Sequence, residues 1–139
     1  MNDTRHFIIP GEPQGKGRPR FGNGHARTPE KTRSYEEAVR YYYLAQCHQA
    51  PFDKDVPLVV TIEAVFGLAK ADSTKKRQAK LCGLLRPVKR PDFDNIGKII
   101  CDALNGIAYH DDAQITTAHI IKRYGVEPCV KVWISKEEV

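Results

Sequence analysis

No run in this sequence reaches the roughly 18 to 20 consecutive apolar residues of a membrane-spanning helix. The opening Met1-Asn2-Asp3-Thr4-Arg5-His6 also lacks the apolar stretch of a secretory signal. Both absences predict a cytoplasmic protein without a membrane partner. The cysteines, Cys47, Cys82, Cys101 and Cys129, show no C-x-x-C spacing and no paired histidines in zinc-finger register, which argues against structural zinc and for free, mostly buried thiols. Walker A and dinucleotide fingerprints are missing too. Gly15 and Gly17 supply a G-x-G, but the later glycine and the Lys-Ser/Thr ending are absent, so no organic cofactor is expected. No repeat or low-complexity linker divides the chain. At 139 residues it is expected to form a single domain, 1–139, with a two-layer core.

What is present begins with charge. A net charge of +5 and a pI near 9.1 favour an anionic partner without selecting nucleic acid over a membrane surface. Residues 6–10 read as a short strand. The stretch from Gly11 to Arg27 is too rich in Gly and Pro for helix or central strand, so it is expected to be an exposed loop carrying Lys16, Arg18, Arg20 and Arg27 as a phosphate-gripping arm. Ser34 with Glu37 makes a capping box for a helix over 35–48, whose Tyr41-Tyr42-Tyr43 is read as core or dimer contact. Residues 56–68 alternate with apolar side chains on both faces, the pattern of a central strand. A short basic helix over 73–81 follows, and Lys89 and Arg90 extend its positive charge. Residues 115–124 and 129–135 are read as a hairpin closing the sheet. The order predicts an α+β fold, a mixed β-sheet packed against helices.

The basic chain nevertheless concentrates aspartates in one window, Asp92, Asp94, Asp102, Asp111 and Asp112. If Pro91 holds its neighbourhood extended, Asp92 and Asp94 leave one face of a strand and can share a cation. Ile96, Ile99, Ile100, Ala103, Leu104 and Ile107 then mark a helical face, with Asp94 at the N-cap, Lys98 one turn along, and Asn105-Gly106 as the stop. Oxygen donors with few thiols or imidazoles suit a hard cation, Mg²⁺ with Mn²⁺ as a substitute. The spacing is compatible with one ion or two. An EF-hand is excluded because Ile96 and Ala103 stand where loop positions five and twelve need oxygen ligands. Taken singly, Asp94 would be a cap, Asp92 a partner for Arg90, and Asp111-Asp112 a polar turn. Together, with a lysine at the adjoining turn and basic flanks, they point to metal-assisted attack on a phosphodiester. His110 is read as an ordinary turn histidine.

Arg90-Pro91-Asp92-Phe93-Asp94-Asn95 with Lys98, Asp102-Ala103-Leu104-Asn105-Gly106, Asp111-Asp112-Ala113-Gln114 and, more weakly, Gly15-Lys16-Gly17-Arg18-Pro19-Arg20 resemble the RusA-type Holliday junction resolvases, crossover junction endodeoxyribonucleases of bacteria, prophages and phages. The resemblance implies acidic catalytic and metal-binding residues at Asp92, Asp94 and Asp112, and a catalytic lysine at Lys98. Asp112 is preferred to Asp111 because the family's essential aspartate is the second of that pair. It also implies Mg²⁺ dependence, a RusA-like fold, a homodimer, and four-way junction DNA as substrate in recombination and repair. A two-fold dimer matches the approximate symmetry of a junction that needs paired nicks. Lys16, Arg18, Arg20, Arg27, Lys89 and Arg90 are the expected DNA contacts. Asp102, two turns from Asp94, is assigned to packing or hydrogen bonding. The competing readings are a DNA-binding protein without catalysis and a nuclease for flaps or plain duplex.

Overall fold

The computed structural model describes residues 3–17, 20–22, 24–27 and 29–138. In chain order the elements are β1 (Arg5–Pro10), β2 (Arg20–Gly22), β3 (His25–Arg27), α1 (Glu30–Gln46), β4 (Leu58–Phe66), α2 (Thr74–Leu81), α3 (Phe93–Ala103), a 3₁₀ turn (Asp112–Gln114), β5 (Ile115–Tyr124) and β6 (Cys129–Lys136). β1, β6, β4 and β5 form the main sheet in that spatial order. β4 runs antiparallel to β6, with Ile62 opposite Val132, and parallel to β5, with Ile62 opposite Ile120. The fold is α+β with a mixed sheet.

The central place of β4 follows from its sequence. Leu58, Val60, Ile62, Ala64 and Phe66 are buried on one face, and Val65 is buried on the other, so β4 gains from neighbours on both edges. This overturns the hairpin expected of β5 and β6, which flank β4 instead of pairing with each other. The chain crosses the end of β4, where Gly125 N–H donates to Phe66 O at 2.9 Å and a Cβ on Gly125 would collide with Val65.

Three boundaries also differ from expectation. The glycine-rich stretch is not loop throughout, since β2 and β3 pair as an antiparallel ribbon whose reversal includes Gly24 at φ +77°, a conformation that glycine adopts without strain. Helix α1 starts at Glu30, behind Pro29, and Arg33 N–H already donates to Pro29 O at 3.1 Å. Proline is pre-set for a helix start, so Ser34 and Glu37 fall inside the helix and form no capping box. Helix α3 starts one residue after Asp92, whose carbonyl accepts from Ile96 N–H at 3.0 Å. Asp92 therefore holds the cap position and Asp94 lies in the first helical turn, so the two do not share a strand face. The short basic helix is present as α2, with Ser73 as its cap, accepting from Lys76 N–H at 3.1 Å.

Helices α1 and α3 lie against the sheet face that carries Phe7, Ile9, Val60, Ile62, Val130, Val132 and Ile134. Of the three consecutive tyrosines, Tyr43 enters this core edge-on to Phe7 at 5.3 Å while Tyr41 is exposed. From α3, Ile96, Ile99, Ile100 and Ala103 are buried, followed by Leu104. Each large aliphatic side chain so buried contributes about 1.5–3 kcal/mol. That anchoring holds the polar face of α3 in a fixed orientation, and Gly106 at φ +82° turns the chain after it. Among the described residues no helix is long and apolar enough to cross a membrane.

Candidate functional site

Helix α3 carries carboxylates at both ends. At its start Asp92 and Asp94 are exposed, and the Asp92 side chain makes no cap hydrogen bond. Both open on a cleft of about 600 Å³ whose walls include Val88, Lys89, Arg90 and Lys122. Lys122 Nζ donates to Lys89 O at 2.6 Å and Arg86 Nε donates to Lys122 O at 3.1 Å, so β5 holds the basic segment 86–89 against the helix start. On its other side Asp92 borders a second cleft, of about 390 Å³, with Lys16, Lys31, Arg90 and Asn95. Arg90 thus lines both clefts. Lys122 and Lys31 were not singled out from the sequence; the signal for Lys122 is a cation at a strand position between Ile120 and Tyr124, where the alternation calls for an apolar residue.

The far end of α3 is more crowded. Lys16 Nζ lies 2.8 Å from Glu36 Oε2 of α1 and 3.3 Å from Asp102 Oδ2 of α3. Burial works to lower the pKa of this ammonium, but the hydrogen bonds and charges of Glu36 and Asp102 outweigh it and hold the pKa above its usual value. Asp112 stands beside Asp102. Its backbone N–H donates to Asn105 Oδ1 at 2.8 Å, and the pKa of its carboxyl is raised by burial and by hydrogen bonds with Asp111 and Asp102. The pKa of Asp111 is lowered, chiefly because its carboxylate accepts from Ala113 N–H at 3.1 Å. Gln114 completes a capping box, accepting from the backbone N–H groups of His110 and Asp111 and donating to Asp53 O and Val56 O.

The expected ligands therefore fall into two groups. Asp102, with Asp112 beside it, comes eight residues after Asp94 on α3, about 12 Å along the axis at 1.5 Å per residue. Magnesium–oxygen bonds are about 2.1 Å long, so Asp94 and Asp102 do not ligate one ion together. Among the described residues no three His, Cys, Asp or Glu side chains are grouped to hold a metal ion. The donors nonetheless suit a hard cation in kind, being carboxylates without a thiol among them. Lys98 is exposed on α3 one turn after Asp94 and one turn before Asp102, between the two groups.

The expected DNA contacts are also distributed. Lys89 and Arg90 are exposed on the rim of the larger cleft. Arg20 and Arg27 sit opposite each other on the β2–β3 ribbon, and Arg18 lies outside the described residues. Lys16 is engaged within the protein. Asp102 is as remote from Asp94 along the helix as its spacing implies, but the turn after α3 brings Asp112 to it.

A sequence model of the family described as Endodeoxyribonuclease RusA matches residues 10–135. The chain is also similar to the uncharacterized protein YqaN of Bacillus subtilis (strain 168), at 33% identity over 136 residues that span 95% of this chain and 96% of that protein.

Proposed function

The chain belongs to the RusA endodeoxyribonuclease family, and on that premise we propose that it is a Mg²⁺-dependent endonuclease that resolves Holliday junctions by paired symmetric nicks in DNA recombination and repair. The observation that carries this reading is the shared cleft at the start of α3, where Asp92 and Asp94 face Lys89, Arg90 and Lys122. A phosphate backbone is drawn to such a rim of cations, and its scissile phosphodiester then comes to lie over the carboxylates.

Asp92, Asp94 and Asp112 are the proposed metal ligands, the first two by their common cleft and the third by the family resemblance. When bound, Mg²⁺ or Mn²⁺ supplies charge neutralisation and polarisation of the phosphodiester. Lys98, exposed and one turn beyond Asp94, donates to the oxygen on which charge develops in the transition state. Lys89 and Arg90 position the strand through its phosphates and carry no sequence information themselves. Two copies related by a two-fold axis would present two such clefts to opposed strands of a junction, so a homodimer in the cytoplasm of a bacterium, with a cellular, prophage or phage gene, is part of the proposal.

The experiment is incubation of the purified chain with Mg²⁺ and a synthetic four-way junction, with flap and duplex DNA alongside. Paired nicks confined to the junction are expected. Binding without cutting would make the chain a DNA-binding protein, and equal cutting of flap or duplex would make it a nuclease of broader selectivity.

A further inference from the structure

Lys16 belongs to the basic arm by sequence, yet its ammonium is engaged by carboxylates of the protein itself. It bridges two helices, at 2.8 Å to Glu36 of α1 and 3.3 Å to Asp102 of α3, with the side chain only 22% exposed. Its backbone is tied down as well: Lys16 N–H donates to Asn95 O of α3 at 3.0 Å, and Gly17 N–H donates to Thr32 Oγ1 of α1 at 3.0 Å. Gly15 completes the seam, since a Cβ there would stand 2.8 Å from the Pro91 Cβ and 3.1 Å from the Asn95 Cβ. Three consecutive residues are thus fastened into the crevice between α1 and α3.

The charges explain why a cation belongs there. Asp102 occupies the last turn of α3, where the helix dipole disfavours negative charge, and no basic residue of the helix itself offsets it in that turn. Glu36 and Asp112 add two further carboxylates nearby. A lysine has three N–H donors, and Lys16 directs its ammonium at two of these acids. An ammonium so placed already has carboxylate partners within the protein and is not left free for a DNA phosphate.

We propose that Lys16 is a positioning residue: as the fixed cation between α1 and α3 it orients Asp102 and, through it, Asp112, and it contacts no DNA phosphate. The part of this inference that concerns cleavage rests on the endonuclease reading above. The same seam fixes the point from which the chain enters the β2–β3 ribbon, so Lys16 serves the basic arm as its anchor.

The test compares Lys16→Met, Lys16→Arg, Asp102→Asn and the double variant Lys16→Met/Asp102→Asn. Junction affinity is measured without Mg²⁺ over a series of salt concentrations, and single-turnover cleavage is measured at saturating junction. For Lys16→Met the affinity and salt slope are expected to match the wild type, with cleavage falling about 10-fold, as on loss of a group that orients a ligand. Lys16→Arg recovers part of that loss, and the double variant loses no more than the worse single one. A salt slope shallower by about 0.9, the value for one phosphate contact, with cleavage at saturation intact, overturns the proposal. If Lys16→Met does not fold, Glu36→Gln carries the test, because it weakens the bridge and keeps the ammonium; unchanged cleavage in that variant overturns the proposal. If the wild type binds junctions and cuts nothing, the endonuclease reading fails by itself, and the melting temperatures of the Lys16→Met and Asp102→Asn cycle decide the positioning role. Coupling supports it and additivity refutes it.

Discussion

At the first turn of α3, Asp92 and Asp94 stand exposed beside a basic cleft, whereas at the last turn Asp102 is paired with Lys16 and lies beside Asp112 of the turn that follows. The helix dipole sharpens the contrast, because it favours negative charge at the start of a helix and opposes it at the end. Carboxylates at the start need no partner from the protein and are free to take one from outside. Those at the end exist together only because a lysine, an asparagine side chain and nearby backbone groups hold them. Helix α3 therefore separates exposed carboxylates from carboxylates that the fold already commits to contacts of its own.

Neutralising each group in turn is the strongest way to break this comparison. Asp92→Asn and Asp94→Asn are expected to lower junction cleavage by about 10³-fold or more, the scale of losing charge stabilisation at a reacting phosphate. Junction affinity and melting temperature should stay near the wild-type values, because neither side chain is buried. Asp112→Asn is also expected to lose cleavage, but with a changed melting temperature, since its carboxyl is held among Asp111 and Asp102. Near-normal cutting by Asp92→Asn or Asp94→Asn would remove the start of α3 from the site. A melting temperature unchanged in Asp112→Asn would remove the distinction between the ends.

Lys98 lies between the two groups and makes the next largest difference. Lys98→Ala is expected to cut turnover by about 10²-fold, as for one donor to a developing oxyanion, while affinity for the junction is retained. Single-turnover rates at saturating DNA, set against binding isotherms, measure the two separately. Equal losses in rate and affinity would recast Lys98 as a phosphate contact.

Much of this was legible in the sequence where one strong periodicity acted alone. Ile96, Ile99, Ile100 and Ala103 announce α3, and the two-sided apolar pattern of residues 56–68 announces the central strand that runs from Leu58 to Phe66. What failed was pairing: β5 and β6 look like a hairpin because only four residues part them, and nothing local says that β4 inserts between them. The cap of α3 falls two residues before the expected Asp94: both aspartates are cap-type residues, and it is Asp92 that has the extended cap backbone. Long-range charge was the least visible. Lys16 and Asp102 are 86 positions apart by number, and only the packing of α1 on α3 shows that a lysine in a basic motif has an acidic destination.

The smallest expected effect concerns the committed end and is read without DNA. In the folded chain the Asp112 carboxyl keeps its proton to a higher pH than in the unfolded chain, chiefly because burial and then Asp111 and Asp102 disfavour its ionised form. Between the ordinary carboxylate range and that raised value the native state binds more protons than the unfolded one, so stability falls as pH rises through the window, and the loss is complete above it. Asp112→Asn has no such proton to lose and can still hydrogen-bond Asp102. In metal-free buffer it should therefore melt higher than the wild type at neutral pH, and the difference should close as the pH drops below the usual carboxylate value. Thermal melts of both proteins across that range test this, and a difference that widens on acidification would mean that the Asp112 carboxylate is stabilised by the fold.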